Sequence, residues 1–156
     1  WFAHIGRIEA VARLCDGGIT TNSFLAERMK EIVPGPVAIV PNFMNKLQQE
    51  VSDLLLEEKQ ARHWESEEPA LIGYFSGTPS HTNDFALVAP ALARLLAKNK
   101  DVRLRIVGYL DNLGILESHR DRIEFFALHD FVNLQRLIAE VDINLAPLQT
   151  NIFTNC

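Results

Sequence analysis

The sequence predicts an α/β protein, a Rossmann-like parallel sheet with helices on both faces, and three observations predict it. Short runs rich in Val, Ile, Leu and Phe, at 19–22, 37–40, 70–76, 102–107, 123–126 and 143–146, recur along the chain. Between them lie segments whose apolar residues return every three or four positions, the spacing of helices with one buried face. The stretch 70–84, ALIGYFSGTPSHTND, passes from a β-forming run through Ser, Gly, Thr and Pro into such a helical pattern. That is how a strand feeds a helix across a tight loop.

Taken in order, residues 1–15 place Ile5, Ile8, Val11, Ala12 and Cys15 on one helical stripe, which Gly17-Gly18 stops. A short strand at 19–22 follows, then a helix over 24–32 capped by Asn22 or Ser23 and ended by Pro34-Gly35-Pro36. Val37 to Val40 reads as a buried strand, so residues 1–42 contain one βαβ step. Residues 45–63 form a surface helix with Leu47, Val51, Leu54 and Leu55 along one side, and 65–69 is an acidic break.

Beyond the central loop, Val88, Ala91, Leu92, Leu95 and Leu96 mark a helix over 85–99. Pro90 inside it predicts a kink or a break, because proline has no N–H for the carbonyl four residues back. Residues 102–107 read as a strand ended by Gly108, with Arg103 and Arg105 as its solvated flanks. A polar crossover at 109–122 carries the apolar cluster 113–116; then come a strand at 123–126, a helix over 131–141 and a last strand at 143–146. Phe125 and Phe126 are expected in the sheet core. Asp130 is expected to cap its helix, so that His129-Asp130 is no catalytic pair.

Composition narrows the function. The formal charge is −5 over 156 residues, and residues 46–70 alone carry −4, which argues for a solvated acidic face and against a nucleic-acid surface. Two cysteines, Cys15 and Cys156, make a disulfide framework unexpected, and a reducing, cytoplasmic setting is the default. Five histidines, at 4, 63, 81, 119 and 129, show no metal-ligand spacing. No apolar run reaches the roughly 18–20 residues that span a bilayer. The first residue is Trp1 and the last residues form a polar loop, so a piece of a longer protein is expected.

The central loop predicts a phosphate seat. Its backbone N–H groups and the helix N-terminus behind it converge, and the aligned peptide dipoles favour negative charge there. Gly77 leaves room for close approach to the backbone, Thr78 can cap or coordinate, and His81 can donate to a phosphate. Asp84 sits where an N-cap or first-turn acid is stabilising in any case. Neither a Walker lysine motif nor Gly-x-Gly-x-x-Gly occurs, which disfavours the usual triphosphate and dinucleotide sites.

In order and spacing, IGYFSGTPSHTND at 72–84, FALVAPAL at 85–92, VRLRIVG at 102–108 and VDINLAPL at 141–148 resemble the nucleotide-sugar half of a GT-B glycosyltransferase. The closest resemblance is to the large retaining group called family 4 or group 1. GGITTNS at 17–23 and VAIVPN at 37–42 resemble the closing strands of the acceptor-side domain. The resemblance therefore implies the tail of an acceptor-side domain at 1–42, a connector helix at 43–69 and an incomplete donor-side domain at 70–156. It implies transfer of a hexose, with retention, from a nucleoside-diphosphate sugar to a saccharide or lipid-linked acceptor, without a metal cofactor.

By the same resemblance the diphosphate lies against Gly77, Thr78 and His81, the nucleobase lies against the loop 126–131 that contains Leu128, and Gly108 is counted among the donor-binding residues. The sugar and α-phosphate meet Pro147, Leu148, Asn151 and Phe153. Ser80-His81-Thr82-Asn83-Asp84 stands where many relatives carry Arg and Lys. The family's donor-binding acid lies beyond Cys156, so the catalytic residues are unknown and no turnover is expected of this piece. The resemblance allows peripheral membrane association of a full-length protein, and an open sheet edge allows two pieces to pair. The rival expectation is a non-catalytic Rossmann-like module that holds a nucleotide or serves association.

Overall fold

The computed structural model describes residues 2–62, 68–110 and 112–150, the side chains of 2–5 and Ser80 excepted. The chain divides into two compact units, one within the residues up to Met44 and one spanning Asn45–Gln149.

In the first unit, helix α1 (Phe2–Ala12) precedes strand β1 (Gly18–Thr20), helix α2 (Ser23–Lys30) and strand β2 (Val37–Ile39). The two strands pair in parallel, Gly18 opposite Val37 and Thr20 opposite Ile39, with α2 as the crossover. Asn22 caps α2, its side-chain oxygen accepting from the Leu25 amide at 2.9 Å, a contact of about 1 kcal/mol. Ala26, Val33 and Thr20 are buried; Ile8 and Val11, expected on the packed stripe of the first helix, are exposed.

The second unit opens on helix α3 (Lys46–Ala61), started by a reciprocal cap in which Asn45 accepts from the Gln48 amide and Gln48 from the Asn45 amide. Strand β3 (Ala70–Ser76), a 3-10 turn (Pro79–His81), helix α4 (Thr82–Lys98) and strand β4 (Val102–Gly108) follow. A 3-10 segment (Gly114–Arg122), strand β5 (Ile123–Phe126), helix α5 (Phe131–Ala139) and strand β6 (Ile143–Leu145) complete it. All pairings are parallel and the sheet order is β5-β4-β3-β6. One face carries Ile72, Tyr74, Leu104 and Ile106 against Phe85, Ala89, Leu92 and Leu96 of α4 and against Leu113 and Leu116. Each large side chain so buried is worth about 1.5–3 kcal/mol.

On the other face lie α5 and α3, which pack on each other and are linked by the Ser52 hydroxyl donating to Gln135 Oε1 at 3.1 Å. The helix at 46–61, expected as a connector, is thus an outer layer of this unit. Here too is Arg105, which the sequence placed on a solvated flank. It is 7% exposed: its guanidinium donates to Glu124, to Glu140 and to the Leu137 carbonyl, and lies 4.9 Å from the Phe126 ring centroid. Arg103, two residues earlier, is exposed as expected.

Three other expectations are corrected. Helix α4 runs through Pro90 without a break. Pro90 and Ala86, whose carbonyl loses its donor, are both exposed, so water can satisfy the orphaned oxygen. The buried stripe is carried by Phe85 and Ala89 where Ala91 and Leu95 were expected. Phe125, read as sheet core, is exposed because β5 is an edge strand; the Arg120 guanidinium, 5.7 Å away, stacks on it. Asp130 caps α5 as expected, accepting from the Val132 and Asn133 amides at 3.0 Å each. The Asn133 amide, before the Asn133 side chain, holds the Asp130 carboxyl below its ordinary range.

Candidate functional site

Numbered in chain order, the four strands of the second unit lie third, second, first, fourth across the sheet. The order reverses between β3 and β6. After β3 the chain crosses by α4 toward β4, and after β5 it returns by α5 to the far side of β3, so the loops beyond β3 and β6 border the crevice of a topological switch point at the carboxyl ends. In open α/β sheets that crevice is where ligands bind. Gly77, Thr78 and His81 follow β3, and Pro147 and Leu148 follow β6.

The loop beyond β3 is held from beneath by strand side chains. Tyr74 is buried against Phe85, ring centroids 4.6 Å apart, and its hydroxyl donates to the His81 carbonyl at 2.9 Å. Burial pushes the Tyr74 phenol up, so that hydroxyl keeps its proton as donor. The buried Ser76 hydroxyl donates to the Thr78 carbonyl at 3.0 Å, and the Thr82 hydroxyl to the Pro79 carbonyl at 2.9 Å. Gly77 is exposed, and a Cβ added to it would meet nothing within 4 Å. Space above the turn is therefore open, and glycine is not demanded there by crowding from the protein.

Asp84, in the first turn of α4, joins the two loops. One carboxylate oxygen accepts from the Gln149 amide at 2.9 Å and the other lies 2.9 Å from His81 Nδ1. Asp84 is 7% exposed and the His81 side chain 42%. The imidazole first, and the Gln149 amide second, hold the Asp84 carboxyl below its usual range. Because Asp84 is ionised, Nδ1 carries the shared proton.

This contact has a pH sign. A carboxyl whose folded value is lowered stabilises the fold above its ordinary value of 3.8, and that contribution is lost as pH falls through the lowered folded value. Acid titration should therefore move the Gln149 amide proton resonance in an Asp84-dependent step below pH 3.8. An amide shift that is flat down to global unfolding contradicts the contact.

Gly108 closes β4 with φ +94°, a conformation that L side chains rarely adopt, and a Cβ there would stand 2.0 Å from the Ser76 carbonyl oxygen. The same Cβ would lie 3.7 Å from Leu128, so the structure brings Gly108 and Leu128 together. Asn151 and Phe153 lie outside the described residues. Sequence reasoning took Asp84 for a capping acid; its three-residue spacing from His81 at a helix start was the available signal for the pair. It did not single out Tyr74, Ser76 or the Gln149 amide.

A groove of about 980 Å3 opens at the opposite, amino ends of the strands, beneath α3 and α5. Its lining acids match its bases one for one, and Arg105 within it is already engaged by Glu124 and Glu140. A charge-balanced groove away from the switch point is the weaker candidate, so the crevice between β3 and β6 is taken as the site.

Comparison of the chain with known protein families and with curated proteins finds no match. Among the described residues, no group of three or more His, Cys, Asp and Glu is arranged to hold a metal ion, and no helix is long and apolar enough to cross a membrane.

Proposed function

We propose that residues 45–149 hold the diphosphate of a nucleoside-diphosphate sugar, as the donor side of a GT-B retaining glycosyltransferase whose acceptor is a saccharide or a lipid-linked sugar. The observation that carries this reading is the strand order, which puts the reversal between β3 and β6, where the Gly77–His81 turn and the loop of Pro147 and Leu148 meet. Phosphate oxygens would sit over Gly77. There the amides at the start of α4, joined by the His81 ring once it is protonated, offer donors to the negative charge growing on the leaving diphosphate. The short step from Gly108 to Leu128 would border the base. The sequence motifs at 72–92, 102–108 and 141–148 support the same family.

One observation favours the second reading, a nucleotide-binding or association module without transfer chemistry. Between Ser76 and Arg94 there is no Lys or Arg, and the one acid of that stretch, Asp84, stands beside the only imidazole. Calorimetric titration with UDP, GDP and their sugar conjugates separates the two. The proposal expects saturable binding of one diphosphate series, with the sugar conjugate bound at least as well as the bare diphosphate. Heat with neither series contradicts it, and binding that ignores the sugar favours the module.

A further inference from the structure

We propose that anion binding in this crevice is linked to proton uptake at His81, because Asp84 holds the ring in the one neutral tautomer that has no donor left for a phosphate. The inference rests on the reading of the crevice as a diphosphate site, and goes beyond it in assigning a proton to the binding step.

Among the described residues the carboxylate of Asp84, nine-tenths buried, has two partners: the Gln149 amide, which can only donate, and His81 Nδ1. An ionised carboxylate only accepts, so Nδ1 must carry the proton whether the ring is neutral or charged. In the neutral ring the second nitrogen, Nε2, then presents a lone pair, which repels a phosphate oxygen. In the imidazolium both nitrogens donate, and Nε2–H can serve the phosphate while Nδ1–H serves Asp84. The opposite neutral tautomer, with the proton on Nε2, would set the Nδ1 lone pair against a carboxylate oxygen 2.9 Å away.

The groups facing His81 are few. Asp84 belongs to α4, Tyr74 of β3 donates its hydroxyl to the His81 carbonyl, and Gln149, after β6, meets Asp84 through its amide. Among the described residues no Lys or Arg is paired with Asp84. Among the described residues, the positive charge this pair can acquire is therefore the second proton of His81. Asp84 acts here as a positioning residue: it touches the ring, and through the ring decides what the ligand meets.

The test is calorimetric titration of the chain with inorganic pyrophosphate at about pH 5.5 and about pH 8, the range in which imidazoles exchange a proton, for the wild type, His81→Gln and Asp84→Asn. Dividing each wild-type affinity by that of His81→Gln at the same pH removes the titration of pyrophosphate itself. The wild type should gain about tenfold more than His81→Gln on going from the higher to the lower pH, the size of one partly exposed charge-assisted hydrogen bond. Asp84→Asn should keep binding at the higher pH and lose the extra gain. An asparagine can donate to Nδ1 while still accepting from Gln149, freeing the neutral ring to carry its proton on Nε2.

In the unliganded wild type, 15N shifts of His81 read the tautomer without any variant, and a proton-free Nε2 is expected at the higher pH. Equal pH ratios for wild type and His81→Gln, or a protonated Nε2 in the neutral ring, overturn the proton linkage and leave the diphosphate reading standing. Failure of the wild type to bind pyrophosphate, UDP or GDP at either pH overturns both.

Discussion

The Arg105→Ala variant should lose about 2–3 kcal/mol of stability in the unit spanning residues 45–149, against about 1 kcal/mol for Arg105→Met. The guanidinium is buried and bridges the edge strand, through Glu124, to the end of α5, through Glu140 and the Leu137 carbonyl. Removing it leaves two carboxylates and a carbonyl without their donor. The penalty stays at the lower end of the range for broken buried pairs because the Glu124 and Glu140 side chains are 35% and 57% exposed and can recruit water. Methionine refills much of the space and keeps an apolar contact with Phe126, which separates lost packing from lost charge. Urea unfolding followed by exchange at the β4 amides measures both; at a slope of about 2 kcal/mol/M the alanine midpoint should fall by about 1 M or slightly more. Equal midpoints for alanine and wild type contradict the bridge.

Gly108→Ala should cost about 2–4 kcal/mol, more than an alanine replacement at almost any exposed position. Two terms add: the φ of +94°, which disfavours any L side chain, and the approach of the new Cβ to within 2.0 Å of the Ser76 carbonyl oxygen. That oxygen belongs to backbone and already accepts from the Tyr109 amide, so it cannot swing aside as a side chain could. Relief must come from parting the carboxyl ends of β3 and β4, and β3 is also one wall of the candidate site. The variant should therefore lose diphosphate binding along with stability, whereas Gly77→Ala, with nothing within 4 Å of its new carbon, should fold as the wild type does. Thermal unfolding of the two alanine variants side by side makes the comparison, and equal melting temperatures contradict it.

Which parts of this were legible in the sequence follows from how far each depends on residues near in the chain. The alternation of strands and helices, the cap at Asn22, the cap at Asp130 and the turn after Ser76 depend on neighbours within a few positions, and local pattern exposes them. Arg105 was misread because Arg103 and Arg105 alternate like a wetted strand face. The acids that draw Arg105 inward stand 19 and 35 residues further on, and no local spacing announces them. Phe125 was misread because nothing nearby says that β5 lies at an edge; strand order is a long-range property. Pro90 does not break its helix, since its cost depends on whether the orphaned carbonyl faces water.

The site shows the same division. Gly77, Thr78 and His81 stand out as a strand-to-helix turn, whereas Asp84 was read as a capping acid and its pairing with His81, three residues away, was passed over. The Gln149 amide that completes the cluster comes from 65 residues away and carries no sequence signature, because any residue supplies an amide. Gly108 was legible as the end of a strand, but its need to be glycine comes from Ser76 across the sheet.

The central claim is that an anion enters between β3 and β6 at the carboxyl ends of the strands. Backbone amide shifts of the 15N-labelled chain, followed during titration with UDP and with GDP, test it most directly. The account predicts saturable changes at Gly77, Thr78, His81, Gly108 and Gln149 with one of the two ligands, and unmoved resonances at Arg103 and Arg136. Changes centred on Arg103 and Arg136, in the groove at the other end of the sheet, contradict it.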